Sequence, residues 1–287
     1  MTNNPNDTTA ALFCAAETKH NDFQRYASTL FLPADARRAL LALFAFNVEI
    51  ARIRDQVSQP LPGEIRMQWW TDMLAGAGHG DVLGNPVVSE LATAMQKYDL
   101  PAEQLARLID EHQFDLYNDP MPGMAELDLY LGNTSGTLFS LAARVLGHSS
   151  TEIDHLSHHA GVACGLAGMI ARFPIDAARG QLYLPQDVFV ASGSSAAEVF
   201  LCKPTPRIRA ALDQVILSAR EHLDLALELL VDSPTAVRPA FLPLAMARHN
   251  LDRAAHPQFD PYALNVNTRL RVLWTYWRAD RAAPFQP

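Results

Sequence analysis

Residues 31–55 read FLPADARRALLALFAFNVEIARIRD. Apolar side chains recur at Leu40, Phe44, Val48 and Ala51, a 4-4-3 spacing that draws one stripe along an α-helix. One more turn brings the stripe to Asp55, so a carboxylate is delivered at the end of an apolar face. Asp55 then either sits solvated at the helix end or lines a cavity.

The same period runs almost throughout. Segments 63–76, 86–98, 101–118, 125–147, 152–173, 207–231, 236–254 and 266–280 read as helices, as does 35–57. SQPLPG (58–63), NDPMPG (118–123), DSP (232–234) and HPQFDP (256–261) fall where helices should stop. The one extended candidate is 181–184, and no repeat of 20–50 residues is evident. The expectation is a single all-α domain over 19–281, preceded by a disordered stretch 1–18 and followed by a tail 282–287.

Composition narrows the function. Hydrophobic residues make up 49% and charged residues 19% of the 287, which suits a packed globule. The formal net charge is −8 with both signs interspersed, so no basic stripe exists for a nucleic-acid backbone. Cys14, Cys164 and Cys202 are few, distant and odd in number, which fits a reducing cytosol better than disulfides or a thiolate zinc site. No basic residue precedes Lys19, unlike a signal peptide. The run 156–171 reads as too short and too polar to span a bilayer. Nucleotide loops and a GxSxG elbow are absent.

A second stretch, GVACGLAGMIARFPIDAARGQLYLP (161–185), carries the remaining chemistry. Its small residues either let a helix pack closely or leave room beside it. Arg172 and Asp176 stand at i, i+4 and share a face if the helix continues. Pro174 lies between them, lacks an N–H and disfavours helical geometry at Phe173, so a kink or stop is expected there. A surface pair of modest value is the plain reading of these two residues. In DHLSHH (154–159), His155, His158 and His159 supply two possible ligands but no identifiable third, so the expectation is a solvated face and no metal.

Segments 31–55, LDLYLGNTSG (127–136) and 161–185 together resemble, in order and spacing, the squalene/phytoene synthase family over about residues 20–254. The resemblance implies an isoprenoid-synthase-type helical bundle around a central apolar cavity. Such enzymes join two prenyl diphosphates head to head, with magnesium held by Asp-rich motifs on facing helices. The metal neutralises the departing diphosphate, and clustered carboxylates hold the metal.

Matched residue by residue, the motifs are eroded. The first motif's leading acids fall on Ala51 and Arg52, and only Asp55 remains. The second motif's leading Asp falls on Arg172 and its inner Glu on Ile175, and only Asp176 remains. The cavity-wall Gln and Asn fall on Gly165 and Gly168, and the Arg ahead of the first motif falls on Val48. A diphosphate-gripping Ser-Phe pair becomes Asp22-Phe23, while Asp115 matches a further family acid. A unit charge at roughly 5 Å in an effective dielectric near 20 interacts by about 3 kcal/mol, and twice that with a divalent ion. Losing acids and gaining guanidinium groups therefore removes the basis for a magnesium cluster.

The FNVEIARIRDQVSQP turn, the QWW pair (68–70) and RFPIDAARGQLYLPQD resemble non-catalytic members of the family that serve as assembly factors for respiratory complex I. The resemblance thus implies a cofactor-free scaffold, cytoplasmic and peripheral at the inner face of the membrane. It would bind complex I subunits and hold a lipid or prenyl chain in the old cavity. The alternatives are a lipid-binding module without an assembly role, and an active prenyltransferase that uses magnesium. In the latter, Arg172 with Arg52 or Arg179 grips the diphosphate. In NVNTRLRVLWTYWRADR (265–281), Val266, Leu270, Leu273, Trp274 and Trp277 form an apolar face among arginines. That face either docks on the core or meets a membrane or partner. For QWW, buried aromatic packing is expected.

Overall fold

The computed structural model describes residues 5–78 and 84–282. Among them there is no β-strand, and the chain is a stack of helices. Helix α1 (Pro5–Asn21) is followed by α2 (Phe23–Thr29), α3 (Ala34–Ala51) and the single turn α4 (Ile53–Gln56). Next come α5 (Pro60–Leu74), α6 (Pro86–Tyr98) and α7 (Ala102–His112), then a 3-10 turn at Phe114–Leu116. Helix α8 (Met124–Leu131) runs through a π-helical turn, Gly132–Gly136, into α9 (Thr137–Val145). The long α10 (Thr151–Ala178) precedes the short α11 (Gln186–Ala191) and α12 (Ala196–Val199). The chain ends with α13 (Pro206–Asp232), a 3-10 stretch Thr235–Phe241, α14 (Pro243–Ala254) and α15 (Arg269–Arg281).

Most helix expectations hold within a few residues. The disordered N-terminus does not: 5–21 is helical and packs on α3 and α6. Its inward face is Ala10, Cys14 and Thr18, all buried, while the larger Leu12 and Phe13 point out. The Thr18 hydroxyl donates to the Cys14 carbonyl at 2.8 Å and reaches the Leu41 carbonyl at 3.3 Å. Burial pushes the Cys14 thiol up to about 12. Residues 1–4, and 283–287 of the expected tail, lie outside the described residues.

Helix α3 is buried on nearly every side, by α1, α6, α2 and α9. Helix α10 is the other axis of the fold, packed by α13, α14, α9 and the π-helical turn. It is long and apolar enough to cross a bilayer by length and composition, a reach that the run 156–171 alone lacks. Yet 61% of its most apolar window is buried against other helices, as in a core helix.

Helix α10 also runs past Pro174, so of the kink or stop expected there the stop does not occur. Burial of Phe173, Pro174, Asp176 and Ala177 holds this last turn in place, so packing overrides the proline. The true end is a Schellman motif. Gly180 adopts φ +70°, its N–H reaches the Ala177 carbonyl at 3.0 Å, and Gln181 N–H reaches the Asp176 carbonyl at 2.9 Å. The stretch 181–184 is not a strand; Met121 N–H donates to the Leu182 carbonyl, and Gln186 N–H to the Met121 carbonyl.

Candidate functional site

The remnants of both acid motifs come together where α4 meets the end of α10, at the mouth of the cavity that the resemblance implies. Asp55, on α4, is half exposed and accepts from Arg179 at 3.0 Å, an ion pair that ties the end of α10 to α4. Asp176 is buried at 5% exposure and accepts from Arg172 at 3.4 Å, while Arg172 itself stays largely in solvent. Arg172 and Asp176 do share a face, but with one buried member this is not a plain surface pair. Two carboxylates and two guanidinium groups leave a formal charge of zero at the mouth. Arg52 is not among them: it turns toward Glu17 of α1, 3.6 Å away.

Burial pushes the Asp176 carboxyl above its ordinary value, against the opposing pull of Arg172 and Arg179. A raised folded-state value means the fold holds this proton more tightly than the unfolded chain does. The stability so gained is complete below the ordinary 3.8 and declines as pH rises through the folded value. Asp176→Asn is therefore expected to melt no lower than the wild type at pH 7, and its relative advantage should vanish in acid below 3.8. A clear loss of Tm at neutral pH would mean that the charge is needed.

The cavity-wall residues divide. Val48 is buried, and Ala51 is exposed. The room beside Gly165 is already filled, since a Cβ there would lie 2.4 Å from Leu131 Cδ2. Beside Gly168 the space is open, with nothing within 4 Å.

Deeper in, Asp115 is buried in a polar knot. Its carboxylate lies 2.6 Å from His112 Nδ1 and accepts from the Tyr130 hydroxyl at 3.0 Å. Burial raises the Tyr130 and Tyr183 hydroxyls well above their ordinary values, with Asp115 adding to both and Asp176 to Tyr183. His112, Tyr130 and Tyr183 escaped the sequence reading. The His112–Asp115 spacing of i, i+3 was the available signal. The Asp22 side chain caps α2 and binds Arg25 at 2.6 Å, and Arg25 reaches Ser135.

Elsewhere, His158 and His159 meet His222 of α13 and Asp128 of α8, while His155 is exposed and apart. In QWW, Trp70 is buried edge-on against Phe46 and Trp69 is half buried. Helix α15 docks, but of the face marked by the sequence only Leu273 packs against the core. Val272, Tyr276 and Ala279 are buried, whereas Leu270, Trp274 and Trp277 point outward, with Arg278 over Trp274 at 4.8 Å and Arg281 over Trp277 at 4.2 Å.

The profile of the squalene/phytoene synthases matches residues 18–278. The chain belongs to this family. Among curated proteins it is similar to mouse (Mus musculus) NADH dehydrogenase (ubiquinone) complex I, assembly factor 6. They share 31% identity over 262 residues, covering 91% of this chain and 79% of that protein. It also resembles presqualene diphosphate synthase of Rhodopseudomonas palustris, at 27% identity over 174 residues, 60% of this chain and 62% of that one. The squalene synthase HpnC from Alicyclobacillus acidocaldarius superposes with a TM-score of 0.74 at 18% identity, over 86% of this chain and 93% of that one. That likeness establishes the isoprenoid-synthase helical fold.

The residues present do not fit the magnesium that the family implies. Magnesium demands several hard oxygen donors in near-octahedral order. Here each remnant carboxylate already has a guanidinium partner, and the positions beside them carry Ala51, Arg52, Arg172 and Ile175.

Proposed function

We propose that this chain is a non-catalytic member of its family that assists the assembly of respiratory complex I. The observation that carries the reading is the state of the two acid motifs, each reduced to one carboxylate held by an arginine. Such a mouth, at formal charge zero, has no excess of anionic ligands to gather divalent cations and leaves a departing diphosphate without neutralisation. The likeness to complex I assembly factor 6 across nine-tenths of the chain supports the same reading.

Complex I assembly takes place at a membrane, and α15 offers a matching surface. Leu270, Trp274 and Trp277 are exposed with Arg278 and Arg281 over the two indoles, so aromatic rings and cations share one face, while Arg269 lies over Phe23 and Arg271 reaches toward His249. Four arginines against Asp280 give this helix a charge of +3 on a chain of net −8. A basic, Trp-bearing helix suits the interface of an anionic bilayer. The working position is thus peripheral, with α15 toward the lipid.

Three measurements test the reading. Cells lacking the chain should lose assembled complex I on native gels and regain it with the wild type. Complementation with Trp274→Ala/Trp277→Ala should be weak, and less of that protein should sediment with anionic vesicles. Purified chain given farnesyl or geranylgeranyl diphosphate with magnesium should yield no C30 or C40 hydrocarbon and no presqualene diphosphate. Turnover at rates typical of enzymes would instead make it a synthase that grips diphosphate through Arg172 and Arg179. Unchanged complex I in its absence would remove the assembly role.

A further inference from the structure

Away from the old mouth, three helices bring three imidazoles and a carboxylate to one point. His158 and His159 come from α10, His222 from α13 and Asp128 from α8, and the histidine donor atoms lie within 4.8 Å of one another. His159 Nδ1 and His222 Nδ1 are 3.0 Å apart. Two nitrogens bound tetrahedrally to zinc, at about 2.0–2.1 Å each, are separated by roughly 3.3 Å. The pair therefore needs only a small adjustment to share a cation.

The surroundings are ordered for the same end. Asp128 lies 3.5 Å from His222 Nε2 and 3.2 Å from His158 Nε2. A carboxylate on the far nitrogen of His222 fixes the tautomer whose Nδ1 lone pair faces His159, the usual device behind a metal-bound imidazole. His158 fits only because residue 132 is glycine: a Cβ there would lie 2.7 Å from its Nδ1. Gly132 opens the π-helical turn, a distortion frequent at functional sites. A cavity of about 200 Å3, floored by Leu127, Val162 and Leu166, opens beside Asp128 and His222 and gives a cation a way in and room for a water ligand.

We propose that His158, His159 and His222, with Asp128, form a binding site for a divalent transition cation of the zinc class. The set is nitrogen-rich, so it favours zinc or cobalt over magnesium or calcium. It lies apart from the acid motifs and does not depend on the assembly reading.

The test uses the full chain, stripped with a chelator and titrated with Zn2+ against a chromophoric competitor, and with Co2+ followed by its visible absorption. One equivalent of Zn2+ should bind, with a tetrahedral or five-coordinate Co2+ spectrum. His159→Ala and His222→Ala should abolish the spectrum, and the isosteric Asp128→Asn should weaken Zn2+ about 10–100-fold. His155→Ala, one turn away on the same helix, should bind as the wild type does. Absence of saturable one-to-one binding overturns the proposal. So does an equal loss in His155→Ala, or full Zn2+ affinity in a folded His222→Ala.

Discussion

Asp115→Ala is expected to lower the Tm by roughly 6–12 °C, corresponding to about 3 kcal/mol or more in a chain of this size. The carboxylate is buried, and it satisfies His112 and the Tyr130 hydroxyl together. Removing it strands two buried polar groups, each costing about 1–3 kcal/mol, in a pocket too enclosed to rehydrate freely. Asp115→Asn keeps an acceptor for Tyr130 and should recover part of the loss. Chemical denaturation of the three proteins measures the order directly. A loss under about 1 kcal/mol for Asp115→Ala would mean that water replaces the carboxylate and the knot is dispensable. The prediction bears on function because Asp115 sits among groups that reach the old mouth: Tyr183 feels both Asp115 and Asp176. The buried acid that is kept is the one whose removal would unsettle packing. The acids at the mouth, which only a metal would need, are the ones replaced.

Legibility followed the physics of each element. Helix α3 announced itself because large apolar residues mark its face, and the loss of the acids was visible at Ala51, Arg52, Arg172 and Ile175 before any coordinates. Helix α1 was hidden because its buried face is Ala10, Cys14 and Thr18, side chains too small to show a period. On α15 the apolar stripe is real but, Leu273 apart, lies on the solvent side, since amphipathicity alone does not say which face the core takes. Arginine direction was beyond reach for a related reason. Arg52 goes to Glu17 and Arg179 to Asp55, and both choices depend on helices far away in the chain. The histidine cluster likewise needs His222, which meets His159 across 63 residues. A stretch such as DHLSHH can show two ligands of a site but not the helix that brings the third.

The small-residue run 161–171 leaves two readings open, close packing or empty space, and the structure divides them along one helix. At Gly161 the packing is backbone on backbone: a Cβ would sit 2.2 Å from the Gly136 nitrogen and 2.4 Å from its Cα. No rotamer can relieve that contact, so α10 would have to move off the π-helical turn by about 1 Å. Gly161→Ala is expected to cost about 3 kcal/mol or more, at the upper end for overpacking. It should also displace His158 and Arg172, which ride on the same helix. At Gly165 the obstacle is the end of the Leu131 side chain, which can swing away, so Gly165→Ala should cost less. At Gly168 nothing lies within 4 Å, so alanine adds helix propensity without a clash and should stabilise by roughly 0.5–1 kcal/mol. Urea denaturation of the three variants tests the gradient. If Gly161→Ala and Gly168→Ala shift the midpoint alike, the tight seam between α10 and Gly136 is not what holds this helix in place.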